Sequence, residues 1–179
     1  MKATRKVIRG YAAVWGDLAR RPDGWEQVKR GAFADTVAKI NAGTPLPMQW
    51  DHQSQGFFAA AKIPVAAIVE AQEDKFGLLI KAYPHNSQDA NELIEAIESR
   101  TIPGLSIAFP TETAEYEDMP KLGRRVLVRA ELVEISAVNH PAYHATRVWV
   151  ENEEYDDGRP GPAIAQPAAT MPAAQGEVT

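Results

Sequence analysis

Short runs rich in β-branched and aromatic residues, cut about every ten residues by turn chemistry, dominate the first 150 positions of this 179-residue chain and confine it to an architecture built mainly of strands. Lys6 to Trp15 reads as one strand, Trp25 to Val28 as a short one, and Leu46 to His52 as a strand whose Leu46, Met48, Trp50 and His52 share a face. Ala59 to Ala71 and Gly77 to Tyr83 form a hairpin around the turn Glu73-Asp74-Lys75. Leu105 to Phe109, Arg124 to Val138 and Arg147 to Val150 complete the set. Asp17 to Gly24 carries turn chemistry, and Thr111 to Gly123 reads as a polar excursion. Helical spacing occurs in two places. Phe33, Val37 and Ile40 recur until Gly43 and Pro45 stop them, and Ala90, Leu93, Ile94 and Ile97 form a stripe behind a cap at Asn86 or Ser87. Two helices among about seven strands predict a mainly β, α+β fold, a barrel or sandwich with helices packed on it.

Charge and punctuation place the domain's end. Residues 151–179 hold six acids against one base, so the net charge of −5 resides there and the rest of the chain is neutral. The same stretch holds four prolines among alanine and glycine, too little apolar surface to offset chain ordering. The expected organisation is a domain over residues 1–154 and a disordered acidic, then Pro/Ala-rich, tail over 155–179, either a solvated extension or a tether or processing segment. The charge argues against wholesale nucleic-acid binding, and no apolar run approaches the roughly 18 residues of a membrane span. Basic residues near the start precede no apolar signal core. The absence of cysteine excludes disulfides, thiolate zinc sites and a cysteine nucleophile. His140 and His144 have a metal-compatible helical spacing, but Pro141 disrupts a helix there, so no metal or cofactor is assigned.

The chemistry-bearing residues are polar groups on faces the period marks as interior. His52 follows Leu46, Met48 and Trp50, where an imidazole without a partner costs about 1–3 kcal/mol. Taken alone it fits a satisfied structural histidine. On the strand Arg124 to Val138, Glu134 follows Val126, Val128, Ala130 and Leu132 on one face, with Ser136 and Val138 after it. A carboxylate there must be paired, protonated or at a pocket edge, and a structural ion pair is the plainer account. Ser106 shares a face with Ala108, opposite Leu105, Ile107 and Phe109, which leaves room for a substrate near the backbone. Alone it reads as an ordinary strand serine, and Ala108 breaks the G-x-S-x-G elbow pattern. Together a serine, a histidine and an acid on three strands are the inventory of acyl transfer: nucleophile, general base and a group that orients the base.

Six segments in order carry a resemblance. They are Gly10-Tyr11-Ala12-Ala13-Val14-Trp15, Gly31-Ala32-Phe33, Trp50-Asp51-His52, Glu73-Asp74 with Gly77-Leu78, Leu105-Ser106-Ile107-Ala108-Phe109, and Leu132 to Val138 followed by Pro141-Ala142-Tyr143. Through most of residues 8–150 the chain resembles the prohead (head-maturation) serine proteases of tailed bacteriophages, whose fold is related to the herpesvirus assembly protease.

The resemblance implies a herpesvirus-protease-like β-barrel and a serine endopeptidase with Ser106 as nucleophile and His52 as base. Glu134 is the preferred third member and His140 the alternative. It further implies capsid or scaffold proteins as substrates, self-cleavage, a homodimer or higher assembly, and a location inside the assembling prohead in the host cytoplasm. Nucleic acid and membrane are not expected partners. Ala108 and Arg30 depart from the family's usual glycine and proline, and Arg124-Arg125, although similar to the herpesvirus oxyanion arginines, precedes the third position and inherits no role. A reading from another class, a non-catalytic capsid assembly or scaffolding module on a protease fold, fits the acidic tail and small size.

Overall fold

The computed structural model describes residues 2–22, 24–51 and 63–156. The N-terminal strand β1 (Lys2–Val14) runs antiparallel to the last strand β11 (Arg147–Asp156) on one side, from Lys2 opposite Asp156 to Tyr11 opposite Arg147. On its other side it pairs with β6 (Gly77–Pro84), which forms the expected hairpin with β5 (Ala66–Glu73). Strand β4 (Leu46–Trp50) continues the sheet, followed by β10 (Glu134–Val138) and, at the edge, β7 (Gly104–Ala108). The order β11-β1-β6-β5-β4-β10-β7 is antiparallel except between β4 and β10. A smaller sheet has the order β2 (Leu18–Arg21), β3 (Gly24–Val28), β9 (Arg124–Arg129), β8 (Glu115–Met119).

The large sheet curls until its edge strand β7 packs against β1. A Cβ on Gly10 of β1 would strike the Arg147 carbonyl oxygen and come within 2.7 Å of Leu105 Cδ1, so only glycine allows this approach. The core fills the curl with fully buried Ile8, Phe33, Met48, Ile68, Leu105 and Ile135. Helix α1 (Ala34–Asn41) and helix α2 (Gln88–Glu98) occupy the two expected places. Ser87 caps α2 by accepting from the Ala90 N–H at 3.2 Å, and Ala90, Leu93, Ile94 and Ile97 are its buried stripe. No helix among the described residues is long and apolar enough to cross a membrane.

Three expectations need correction. Arg124 to Val138 is not one strand: β9 ends at Arg129 and β10 starts at Glu134, in different sheets. The residues between spend their N–H groups elsewhere, Ala130 on the Ala32 carbonyl, Leu132 on Thr36 Oγ1 and Val133 on the Ala108 carbonyl, so the ladder cannot continue. The polar excursion Thr111 to Gly123 contains β8, which pairs with β9, and the expected turn Asp17 to Gly24 contains β2. Of the expected strand over 59–71, residues 59–62 lie outside the described residues and regular pairing begins at Ala66. β11 runs two residues past the expected boundary at 154, and the rest of the expected tail, from 157, lies outside the described residues.

Candidate active site

Every residue of β7 is buried, and its alternation sorts the side chains as expected. Leu105 and Ile107 enter the core, while Ser106 and Ala108 face the other side. Ser106 lies directly opposite Ser136 of β10, and Ala108 opposite Glu134. Across the parallel pairing, Ser136 lies beside Gln49 of β4. One face of the sheet therefore carries the row Gln49, Ser136, Ser106, with Glu134 one diagonal step from Ser106. Diagonal neighbours stand about 7–8 Å apart. At that spacing a long side chain can still reach its diagonal neighbour. Ser106, Ser136 and Glu134 are 7%, 0% and 6% exposed, and the Ser136 hydroxyl donates to Glu134 Oε1 at 3.0 Å.

The face argument that marked Glu134 rested on a continuous strand that does not exist, yet the residue is buried. β10 restarts the alternation at Glu134 itself, so its companions on the face are Ser136 and Val138. Ser136 was visible as a residue sharing that face, but its place across from Ser106 depends on a pairing that no spacing reveals.

His52 lies outside the described residues, and so does its expected place on the Met48 face. What the structure shows is the end of the alternation before it. β4 stops at Trp50, and Asp51 adopts a left-handed φ of 61° while donating its N–H to the Ala137 carbonyl. Met48 and Trp50 pair with Ile135 and Ala137, on the face opposite Ser106. The strand alternation therefore ends at Asp51, whose backbone is left-handed.

His140 is exposed beyond the far end of β10, its Nδ1 2.8 Å from Asn139 Oδ1. It is four residues past Ser136 and follows the end of β10 at Val138. Among the described candidates the fold brings Ser106 and Glu134 together and leaves His140 outside the row. His144 is also exposed, in a turn.

The segment after β10 buttresses β7, the strand that carries Ser106. Gly104 sits under Pro141 and Thr146, where a Cβ would come within 2.9 and 2.8 Å of their atoms. Thr146 Oγ1 accepts from the Leu105 N–H and donates to the Tyr143 carbonyl. Tyr143, 1% exposed, donates its hydroxyl to Glu26 Oε1 at 2.7 Å. Glu26 is equally buried and is clamped by Arg21 and Arg125, each at 2.9 Å. Burial pushes the Glu26 carboxyl up, but the Tyr143 hydroxyl and the two guanidinium groups outweigh it and hold it below the usual carboxylate range. Burial and the Glu26 charge push the Tyr143 phenol up.

A cleft of about 370 Å³ opens beyond the end of β7 between Arg21, Glu26, Ala108, Phe109, Thr111 and Arg125. Another, of about 320 Å³ around Arg9, Asn41 and Lys81, lies on other strands away from Ser106.

Residues 1–159 match the sequence model of the family described as caudovirus prohead serine protease. No curated protein sequence matches the chain. Among solved structures the chain is similar to the protease of Kaposi's sarcoma-associated herpesvirus bound to an allosteric inhibitor, with a TM-score of 0.48 and 12% identity over 82% of this chain and 75% of that one. It is also similar to the same protease bound to a dimer disruptor, with a TM-score of 0.47 and 10% identity over 82% and 76%.

Proposed function

The chain belongs to the caudovirus prohead serine protease family, and from that premise we propose that Ser106, His52 and Glu134 form its catalytic triad. The observation that carries this is the diagonal placement of a buried serine and a buried carboxylate on one face of the sheet. A serine hydroxyl is a poor nucleophile at neutral pH. His52 takes its proton as Ser106 Oγ attacks the peptide carbonyl carbon, and returns it to the leaving amine. Water then releases the acyl group from the serine by the same route in reverse. Glu134 orients the ring and stabilises the imidazolium. A backbone donor to the oxyanion is worth about 3 kcal/mol of the barrier.

The substrates are capsid or scaffold proteins in the assembling prohead within the host cell, with the protease's own chain as a further target and a dimer or higher assembly as the working form. The substrate chain enters by the cleft beyond Ala108, which shares its face with Ser106.

Wild type and Ser106→Ala, each expressed with the shell protein, test this by mass spectrometry of new termini. Cuts are expected with wild type alone, and equal processing by both removes Ser106 from the role. A fluorophosphonate probe adds that position 106 should be labelled. Glu134→Gln should lower kcat/KM at least a hundredfold and His140→Ala less than threefold, with circular dichroism showing both folded. The reverse ranking transfers the third role to His140.

A further inference from the structure

We propose that Ser136 is a positioning residue of the proteolytic site, its hydroxyl holding the Glu134 carboxylate in the orientation the base requires. The inference rests on the reading of Ser106, His52 and Glu134 as the triad. Ser136 is the central residue of the row across three strands, beside Gln49 on one hand and directly opposite Ser106 on the other. Directly opposed residues have Cβ atoms about 4.5–5.5 Å apart. The nearest cross-strand neighbour of the nucleophile is therefore a second hydroxyl, none of it exposed, and that hydroxyl is committed to Glu134 Oε1 at 3.0 Å.

Two physical consequences follow. A buried carboxylate needs donors to remain an anion, and an O–H given to one oxygen favours the charged form while fixing the rotation of the whole group. A serine also keeps this face low, since Ser136, Ser106 and Ala108 are all small side chains in one patch of it. A larger residue at 136 would crowd the buried Ser106 and Glu134.

The test is a double-mutant cycle on a fluorogenic peptide that spans a cut found in the shell protein. In the wild-type background Ser136→Ala should lower kcat about tenfold with KM unchanged within twofold. In the Glu134→Gln background the same change should lower kcat less than twofold, because the group Ser136 acts through is already altered. A hydroxyl that merely supports the sheet would lower activity by the same factor in both backgrounds, and that result, or a wild-type kcat in Ser136→Ala, overturns the inference. If Ser136→Ala does not fold, Ser136→Cys, which keeps the volume and a weaker donor, takes its place with the same coupling expected. Wild-type turnover in Ser106→Ala or Glu134→Gln removes the triad reading itself. Loss of activity in both of those with an uncoupled Ser136 removes only this inference.

Discussion

Glu26 shows how one residue can tie together several segments near the strand that carries Ser106. Its two oxygens receive Arg21, Arg125 and Tyr143, which come from β2, β9 and the segment after β10. The folded carboxyl titrates below its unfolded value of about 4.3. The sign follows: the group contributes stability above the unfolded value, and that contribution is lost as pH falls through the lower folded value. Glu26→Gln should therefore cost about 2–4 kcal/mol near neutral pH, since it leaves two half-buried guanidinium groups without their anion. It should also flatten the fall of Tm between about pH 5 and 3. Thermal melts across that range check both, and an unchanged acid slope would show that Glu26 does not contribute to it. Nothing in the sequence marked Glu26, because a glutamate next to Trp25 in a short strand has the pattern of a surface residue. Its partners are 5, 99 and 117 positions away.

At the scale of elements, two of the recognised segments prove to be one device. Helix α1 has no side-chain cap of its own. Glu73, the last residue of β5, instead accepts the Gly31 N–H at 2.7 Å and the Phe33 N–H at 3.0 Å. Asp74 beside it accepts from Phe76, Gly77 and the Tyr11 hydroxyl, closing the turn onto β1. A carboxylate at a helix start meets unpaired N–H groups and the positive end of the dipole. Glu73→Ala should lose about 1–2 kcal/mol in urea unfolding while leaving proteolysis near wild type, and an unchanged midpoint would deny the cap. Local pattern revealed both helices, the β5–β6 hairpin and the two faces of β7. It misjudged the break after Arg129 for a physical reason. Ala130 and Leu132 are buried and Glu131 and Val133 exposed, so the strand-like alternation persists through a linker that packs near α1 without a ladder. It missed β8 because no residue of that strand is fully buried and only Tyr116 packs against the core.

Across the whole molecule, the candidate site depends on closure of the sheet rather than on any local motif. β7 is an edge strand with one ladder partner, β10. Further support comes from the Thr146 hydroxyl on the Leu105 N–H, from the Val133 N–H on the Ala108 carbonyl, and from the packing of Leu105 against Gly10, where β1 pairs with β11. The first and last strands thus pair directly behind Leu105, the neighbour of Ser106. A Cβ at Gly10 would press on the Arg147 backbone and on Leu105 together. Overpacking of this kind costs about 1–3 kcal/mol, or roughly 2–12 °C in Tm for a domain of this size. Because Leu105 precedes Ser106, displacement by as little as about 1 Å should also reduce kcat up to a hundredfold. Gly10→Ala is therefore expected to lose turnover by more than its fraction unfolded explains, measured by active-site titration against circular dichroism at the same temperature. If activity falls only in step with folding, the closure stabilises the domain without setting the serine.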